Sequence, residues 1–509
     1  MKRHLTFFIL IIFSCTFAVA QMETSYKTEM FGSVSSGKYT PFQLINHTWG
    51  MVPLSANNFY LRSALHHKQD INQDWSFNLG LDIAASNAQV YNNDFWLQQI
   101  FVDLDWRYLK LTLGSKENYW PLLDPHLSSG DFIRSNNSRP IPEISISIPE
   151  FTLIPYTKGN VYIKADFAVG KYFDNQYIAN KMIPLNNGYY SNNLLSHHKS
   201  FYLRFGNIEK ENRLQFIFGL NHDAQWGGIV HRYDQSKQEY TTFQDPRGFT
   251  DLLRVIVAKE GSSSSTANDS LYVAGSQVGA FLFKFDYKLK NNDNLSLYLS
   301  HFFEDGSGLA FLNYQDMLLG LQYKSEQKRL VSGTVFEYIY TKNQTGPIGF
   351  GGNEIDQHRK HNNRNGADNY YNHGIYTQGY SYFGRSQGSP LLLSPEYNED
   401  EFLGFKSNRI IAFHLGMEGF LLPLLQYKLM ASVGYSWGTY RIPHLSVQDG
   451  HSAGLDIIYA YPQIQGLDVK LSLAYNSGEF FKESAWGGGI TITKRGVILK
   501  KEKNVKQRK

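Results

Sequence analysis

The feature that most constrains this chain is an alternation of apolar and polar residues that recurs along nearly its whole length. In the segment 74–84, every second residue is apolar, from Trp75 to Ile83. Successive side chains of a β-strand point to opposite faces, so each such segment has one apolar and one polar face. Many such segments with few helices predict either a water-soluble β-sandwich or a barrel whose apolar face contacts lipid.

The alternation predicts about eighteen strands. They are Tyr26–Ser33, Asn58–Leu65, Asp74–Ala85, Phe95–Trp106, Tyr108–Lys116, Glu143–Ile148, Val161–Tyr172, Ser200–Ile208, Arg213–His222, Gln277–Leu289, Leu295–Phe303, Met317–Lys324, Leu330–Thr341, Arg409–Phe420, Gln426–Tyr440, Ser452–Tyr461, Val469–Asn476 and Trp486–Thr493.

The first twenty residues have the composition of a secretory signal. Lys2 and Arg3 form a basic start, Leu5–Phe17 is mostly apolar, and small residues end at Ala20, after which we expect cleavage. The single cysteine of the chain, Cys15, lies in this segment, so we expect no disulfide in the mature protein.

Beyond Ala20 no segment has the roughly 18 uninterrupted apolar residues of a spanning helix. The 34 Tyr and 35 Phe bring the aromatic content to 15%, which fits the aromatic girdles of a membrane barrel. A soluble sandwich of this length would divide into domains with linkers between them, and none is evident. The sequence therefore predicts an all-β fold, a transmembrane antiparallel β-barrel over residues 21–499, in the outer membrane of a Gram-negative bacterium.

The charge is concentrated at the C-terminus. The chain has a net charge of +4, while residues 500–509 carry six basic residues and one acidic residue. Basic residues confined to one end do not form the folded basic surface of a nucleic-acid-binding protein. We expect a solvated tail, or a segment that contacts anionic lipid headgroups.

Charges at alternate strand positions indicate which face lines the lumen. Arg62, Arg204, Lys284 and Lys470 would be costly against lipid, so we expect them to point inward.

The connections fall into a short set and a long set. Asn291–Asn294 is a tight turn by composition, whereas Glu117–Pro142, Asp223–Ser276 and Gln344–Asn408 are long. Short turns on one rim and long loops on the other are typical of a membrane barrel.

Within the second long loop, Asp251–Lys259 is the best helix candidate, with Thr250 as its predicted N-cap.

Catalytic and metal-binding signatures are weak. No nucleophile elbow, P-loop or dinucleotide fingerprint is present. His358, His361 and His373 do not have the spacing of metal ligands, and we expect them to be solvent-exposed loop residues. The segment Glu304–Gly308 resembles half of a calcium loop but is explained as a turn after the strand that ends at Phe303. We expect no cofactor, no metal and no enzymatic activity.

An aromatic and polar segment, Gly366–Pro390, interleaves five tyrosines with Asn, Asp, Gln and Arg. Aromatic rings pack on sugar rings, and Arg pairs with acidic carboxylates. The composition fits a plug that fills space equally well.

Several segments resemble the capsule assembly Wzi family, particularly its Bacteroidetes-type members. They are Pro41–Gly50 (PFQLINHTWG), Ser129–Pro142 (SGDFIRSNNSRPIP), Ile148–Tyr156 (IPEFTLIPY), Gly219–Gly228 (GLNHDAQWGG), Phe303–Gly308 (FEDGSG) and Gly366–Pro390. They occur in the order of the family and span most of the chain.

The resemblance implies an outer-membrane barrel of about 18 strands that retains capsular or related surface polysaccharide as a lectin-like attachment protein. The candidate glycan-binding or plug residues that it implies are Asp131, Arg139, Trp226, Tyr371, Tyr380 and Arg385. The expected partners are surface polysaccharide, outer-membrane lipid and, during insertion, the barrel-assembly machinery, and we expect a monomer. An outer-membrane porin or carbohydrate channel is the alternative, and an outer-membrane hydrolase is a third hypothesis.

Overall fold

The computed structural model of the protein describes residues 21–87, 94–183, 188–207, 213–259, 261, 274–346 and 368–501. Among these residues, the helices are all too short or too polar to cross a membrane.

One antiparallel sheet of eighteen strands forms the body of the molecule. The strands are β1 Gln21–Ser35, β2 Asn58–Asp70, β3 Trp75–Ser86, β4 Phe95–Trp106, β5 Leu109–Ser115, β6 Glu143–Leu153, β7 Val161–Lys171, β8 Leu195–Phe205, β9 Leu214–Trp226, β10 Ser276–Lys288, β11 Asn294–Phe303, β12 Met317–Lys324, β13 Gly333–Tyr340, β14 Ile410–Leu422, β15 Leu425–Gly438, β16 Pro443–Tyr461, β17 Leu467–Ser477 and β18 Ala485–Lys501.

The sheet closes on itself, because β1 pairs with β18 as well as with β2. The closing register runs from Met22 opposite Lys501 to Ser35 opposite Gly487. Closure removes the free edges that a sheet cannot leave unpaired in hydrocarbon. The predicted transmembrane barrel and its number of strands are confirmed.

Alternation assigns the two faces of the barrel wall. Leu297, Leu321 and Leu471 are exposed on the outer face, where they form part of an apolar band. The inner face is polar and charged: Arg62 donates to Asp82 from Nε to Oδ2 over 2.8 Å. Arg204, Lys284 and Lys470 have the same inward parity on their strands, as the sequence predicts.

The two rims differ as a membrane barrel requires. On the turn rim, successive strands are joined by short connections such as 107–108 and 423–424. The loop rim carries the long connections 36–57, 116–142, 172–194, 227–275, 304–316 and 341–409. Both described ends of the chain lie on the turn rim, where Met22 faces Lys501.

The helices of the described residues lie in connections at the loop rim. They are α1 Phe42–Ile45, α2 Asn175–Met182, α3 Phe249–Ile256 and α4 Gly306–Leu309, with 3-10 turns at Pro395–Tyr397 and Glu479–Phe481. Small antiparallel sheets also form there, from 189–192, 229–234 and 239–244, and from 381–382 with 385–386.

Some predicted boundaries were wrong. Helix α3, predicted in the second long loop, begins at Phe249. Its N-cap is Gly248 rather than Thr250, because the Asp251 carboxylate accepts the Gly248 N–H over 2.8 Å. The last strand includes Lys500 and Lys501, two residues of the predicted tail. Residues 1–20, which contain the predicted signal, and 502–509 lie outside the described residues.

Strand β16 begins at Pro443 rather than Ser452, and strands β8 and β9, which are adjacent to each other, also reach further towards the loop rim than the sequence predicts. Strand β8 begins at Leu195 rather than Ser200, and β9 continues to Trp226 rather than ending at His222. In these stretches of β8 and β9 both faces of the wall carry polar residues, so the alternation that marks the other strands is absent.

The two faces predict opposite responses to charge. We expect Leu471→Arg, on the lipid face, to reduce the free energy of unfolding by about 2–4 kcal/mol if it lies near mid-membrane. The matched control is Lys470→Arg, one residue away on the lumen face, which keeps its charge beside Asp456. Equilibrium urea unfolding in lipid vesicles measures both, and equal effects would contradict the assignment of faces.

Candidate functional site

Three loop segments fold inward into the lumen, and the second reaches the turn-rim ends of β12 and β13, where Asp124 lies 3.5 Å from Lys324 and Leu127 packs near Gly333. We call residues 36–57, 116–142 and 368–409 the plug. The plug and the inner wall share one hydrophobic core, in which Phe42, Phe132 and Tyr371 of the plug pack with Tyr298 and Ile339 of the wall. The functional site is therefore built around this plug and the surface that it presents at the loop rim.

The first plug segment enters through α1. Pro41 precedes the helix with extended dihedral angles, which suits its restricted ring. Phe42, Leu44 and Ile45 are buried, and the Asn46 side chain donates to the Phe42 carbonyl over 2.7 Å. This single helical turn is stabilised mainly by its burial against the wall.

The second segment is held by a buried wall carboxylate. Glu337 on β13 accepts hydrogen bonds from Ser128 Oγ over 2.7 Å, Ser129 N over 2.7 Å and Tyr298 Oη over 2.5 Å. Ser129 Oγ is a further donor to the same carboxylate. A buried carboxylate needs several donors to offset its desolvation, and the loop supplies most of them.

Other lumen-facing side chains bind carbonyls of the same segment. Lys284 Nζ donates to the Leu122 carbonyl over 2.9 Å, and His414 Nε2 lies 2.9 Å from the Leu127 carbonyl oxygen. The wall charges that alternation places in the lumen therefore serve as anchors for the plug.

Asp223 on β9 joins the wall to two plug segments. Its Oδ2 accepts from Arg134 Nε over 2.7 Å and from Tyr380 Oη over 2.6 Å, while its Oδ1 contacts His198 on β8. Arg134 also binds Glu143 at the start of β6 through both terminal nitrogens. This network fixes residues from β6, β8, β9 and both loops in one arrangement.

Tyrosines of the third segment satisfy their hydroxyls inside the plug. Tyr371 Oη donates to the Phe132 carbonyl, and Tyr370 Oη donates to Asp316 over 2.6 Å. Tyr380 Oη, which donates to Asp223, also lies 2.8 Å from the Ile133 carbonyl oxygen. The composition of Gly366–Pro390 fits either a sugar-binding segment or a plug that fills space. The contacts of the tyrosines at 370, 371 and 380 are those of a plug.

Arg385 links the first and third segments. It donates to the Val52 carbonyl over 2.9 Å and forms an ion pair of 2.9 Å with Glu396. Its side chain is buried, so its guanidinium is used within the plug.

The structure separates the predicted site residues. Asp131, Tyr371, Tyr380 and Arg385 are buried in the plug, and Trp226 is buried under α3 at the end of β9. Glycan contact by these residues remains a prediction.

Only Arg139 of the predicted set reaches the loop-rim surface in part. It donates to the Leu97 carbonyl over 2.6 Å, and its guanidinium lies 5.2 Å from the centre of the Phe383 ring.

Arg139 belongs to a group of aromatic and basic side chains that sequence reasoning missed. We call it the cationic-aromatic patch, and its members are Arg139, Lys171, Phe173, Tyr177, Lys181 and Phe383. Tyr177 lies 6.0 Å from Phe383, and Lys181 lies 5.5 Å from the Tyr177 ring. Lys171 and Phe173 form a separate pair at 5.6 Å, which adjoins the first group through Asp174, the acceptor of the Phe383 N–H. Phe173 is 57% exposed.

Phe383 lies at the tip of a two-residue hairpin within the plug. Phe383 and Gly384 have φ of 52° and 74°, as a type I′ turn requires. A Cβ on Gly384 would lie 2.1 Å from Tyr177 Oη, so glycine is needed there. A bulky residue such as Phe383 rarely adopts positive φ, and such positions concentrate at functional sites.

Burial raises the pKa of carboxyls in the plug and in the adjacent 304–316 connection. The pKa of Asp131 rises to about 6, although the N–H groups of Ile133 and Arg134 donate to its carboxylate and oppose the shift. Burial likewise raises the pKa of Asp316 to about 6.

The candidate metal-binding residues that lie within the described part of the chain have structural roles. Asp305 caps α4 and accepts Ser307 N over 2.8 Å, so the turn predicted after Phe303 is confirmed. His373 is half-buried rather than solvent-exposed, because its Nδ1 accepts the Ile375 N–H over 3.1 Å. His358 and His361 lie outside the described residues. Within the described part of the chain, no three metal-ligating side chains converge.

Cavities lie inside the barrel around the plug, and two of them are bounded by described residues. One of about 60 Å³ lies between β5–β7 and residues 134–141 and includes Arg139 in its lining. The other, of about 240 Å³, lies beneath α1 towards the turn rim and is lined by charged residues such as Lys428, Asp456 and Lys470.

Comparisons with known proteins show the barrel fold. No protein-family model and no curated protein matches the chain. Among solved structures, Wzi of Escherichia coli, described as a carbohydrate-binding β-barrel involved in group 1 capsule assembly, matches with a TM-score of 0.51 at 14% identity, over 92% of this chain and 83% of Wzi. OpdQ of Pseudomonas aeruginosa matches with a TM-score of 0.44 at 10% identity, over 94% of this chain and 98% of OpdQ.

The hydrogen bonds of Glu337 predict that its substitution releases the second plug segment from the wall. Glu337→Ala removes the acceptor for Ser128 and Ser129, so we expect the segment 116–142 to detach and ionic current across planar bilayers to rise above that of the unmodified protein. The control is Glu326→Ala, an exposed acid on a turn-rim connection. Equal conductance of the two variants would show that Glu337 does not hold the plug.

Asp131 predicts a pH dependence of plug stability. The pKa of its carboxyl is about 6 when folded and 3.8 ordinarily, so stability is fully present below pH 4 and declines as pH rises to 6. Asp131→Asn removes this loss, at most about 3 kcal/mol, while its side-chain oxygen still accepts both N–H groups. Thermal unfolding followed by near-ultraviolet circular dichroism between pH 4 and 7 measures it. An unchanged slope in the variant would contradict the assignment.

Proposed function

We propose that this protein is an outer-membrane, Wzi-like barrel that binds and retains surface polysaccharide at its loop rim. The observation that carries the proposal is the plug, whose side chains pack inside the lumen and are hydrogen-bonded to the wall. A packed lumen favours a binding surface over a diffusion channel. In outer-membrane barrels the long loops face the cell exterior, where such a polymer would lie.

The cationic-aromatic patch supplies the chemistry that the proposal needs. Phe173, Tyr177 and Phe383 offer ring faces on which sugar rings can pack. Arg139, Lys171 and Lys181 lie within about 6 Å of these rings, so acidic sugars fit the patch better than neutral ones. We therefore propose an acidic polysaccharide as the ligand class.

The plug holds the patch rigid. Asp174, next to Phe173, accepts the Phe383 N–H over 3.4 Å, and Tyr172 packs edge-on against Tyr382 at 5.5 Å. Side chains that are already ordered cost less entropy when a ligand binds.

Polysaccharide retention does not require a nucleophile. A polymer repeats its binding unit, so several barrels can hold one chain and weak contacts add up to high avidity. Action as a monomer and insertion by the barrel-assembly machinery are parts of this proposal.

The patch is tested by glycan binding in vitro. We expect the double variant Phe173→Ala, Phe383→Ala to bind acidic polysaccharide about tenfold more weakly, which corresponds to about 1.4 kcal/mol. The control is Tyr156→Ala, which removes a fully exposed tyrosine from the opposite rim. Binding of detergent-purified proteins to a glycan array and to immobilised polymer measures both. Equal affinity of the three proteins would exclude the patch as the site.

The retention function is tested in cells. Deletion of the gene should release polysaccharide into the medium without reducing its synthesis, and the Phe173, Phe383 variant should resemble the deletion. Quantification of cell-bound and free polymer measures this. If the cell-bound fraction is unchanged, the protein does not retain polysaccharide, and steady single-channel current in planar bilayers would then support a channel.

A further inference from the structure

Near the loop rim, the outer wall of β8–β10 carries polar side chains where a membrane barrel normally carries apolar ones. His197 and Lys199 share the parity of lipid-facing Phe201 and Phe205 on β8, and His222 shares that of Leu220 on β9. His197 is fully buried and His222 is 3% exposed. Something on the outside of the barrel therefore covers them.

Helix α3 is part of that cover. Lys199 Nζ donates to the Ile256 carbonyl at the end of the helix, and Gln277 Nε2 on β10 lies 3.5 Å from the Val255 carbonyl oxygen of the helix. Val255 is buried against the outward side chains of Ala224 and Trp226. The helix thus lies on the outer surface of the wall, not over the lumen.

The opposite side of α3 is also apolar. Phe249, Leu253 and Val257 follow one another at intervals of four residues and form one stripe. They are 73%, 46% and 67% exposed. Exposure of such a stripe of large apolar residues to water is unfavourable, and the stripe lies next to the lipid-facing wall.

The 304–316 connection also covers a polar residue of the outer wall and leaves apolar side chains of its own exposed. Phe311 covers the outward-facing His301 with a ring distance of 4.4 Å and stacks on Phe281 of the lipid-facing wall at 5.6 Å. Beside it, Leu309 and Tyr314 are exposed. Two separate loops therefore cover polar wall residues and turn apolar side chains outward.

We infer that α3 and the 309–314 loop are membrane-contacting elements that insert their exposed apolar side chains into the outer leaflet. The occupant of the α3 stripe is lipid acyl chain, because the stripe continues the apolar wall below it at Leu220 and Phe281. Exposed Arg247 and Lys259 flank the helix and suit anionic headgroups. This inference depends on the barrel fold and not on polysaccharide binding.

Site-directed spin labelling in vesicles tests the inference. Single cysteines replace Phe249, Leu253 or Val257 in a Cys15→Ala background, and purified protein is reconstituted in vesicles of neutral and anionic lipid. The reference positions are Leu471→Cys on the lipid face and Lys237→Cys in the exposed connection between 229–234 and 239–244.

We expect labels on the helix to be several-fold more accessible to oxygen, relative to the aqueous reagent nickel ethylenediaminediacetate, than the label at position 237. Accessibility equal to that at 237 would place the stripe in water and overturn the inference. Protection from both reagents would indicate contact between copies of the protein and would overturn it too.

A second substitution distinguishes insertion of the α3 stripe into the membrane from a position merely near the membrane. Leu253→Asp should move the label at position 249 into the aqueous phase, whereas Thr250→Asp, at an exposed position on the same helix, should leave it in lipid. Equal effects of the two substitutions would show that the apolar stripe does not hold the helix in the membrane.

Discussion

The structure depends on the closure of the hydrogen-bond ladder between β1 and β18. In hydrocarbon no water can satisfy an unpaired backbone group, so a sheet survives there only as a closed cylinder. Closure leaves every strand with one face to lipid and one to the lumen, which imposes alternation on the sequence. Where an outer face is polar, as at His197 and His222, another part of the chain must cover it, and α3 is part of that cover through its contact with Lys199.

The polar lumen in turn determines the plug. Glu337 and Asp223 lie on wall strands, and each is buried with donors drawn mainly from the loops and from neighbouring strands. Buried carboxylates without such partners would be costly, so wall and loops stabilise each other. The plug is therefore an integral part of the barrel and not a separate domain inserted into it.

These constraints explain what the sequence could and could not predict. The strands were predictable because lipid on one side and a polar lumen on the other enforce a period of two. The start of β8 at Leu195 and the end of β9 at Trp226 could not be predicted, because loop packing on the outside of the wall removes the alternation there. Tyrosines of Gly366–Pro390 suit sugars and plugs equally by composition, and only their hydroxyl partners, such as Phe132 and Ile133, separate the two. The cationic-aromatic patch had no sequence signal, since Tyr177 and Phe383 are distant in the chain.

Five of the segments that resemble the Wzi family meet around the plug, whereas Ile148–Tyr156 ends at the turn rim. Asp223 in GLNHDAQWGG binds Arg134 of SGDFIRSNNSRPIP and Tyr380 of the aromatic segment, while Glu304 of FEDGSG accepts the Tyr371 N–H over 2.6 Å. The resemblance therefore marks the packing of the plug. In the proposed function, contact with polysaccharide therefore falls to residues at the surface, such as Phe173, because the buried side chains of these segments are used inside the plug.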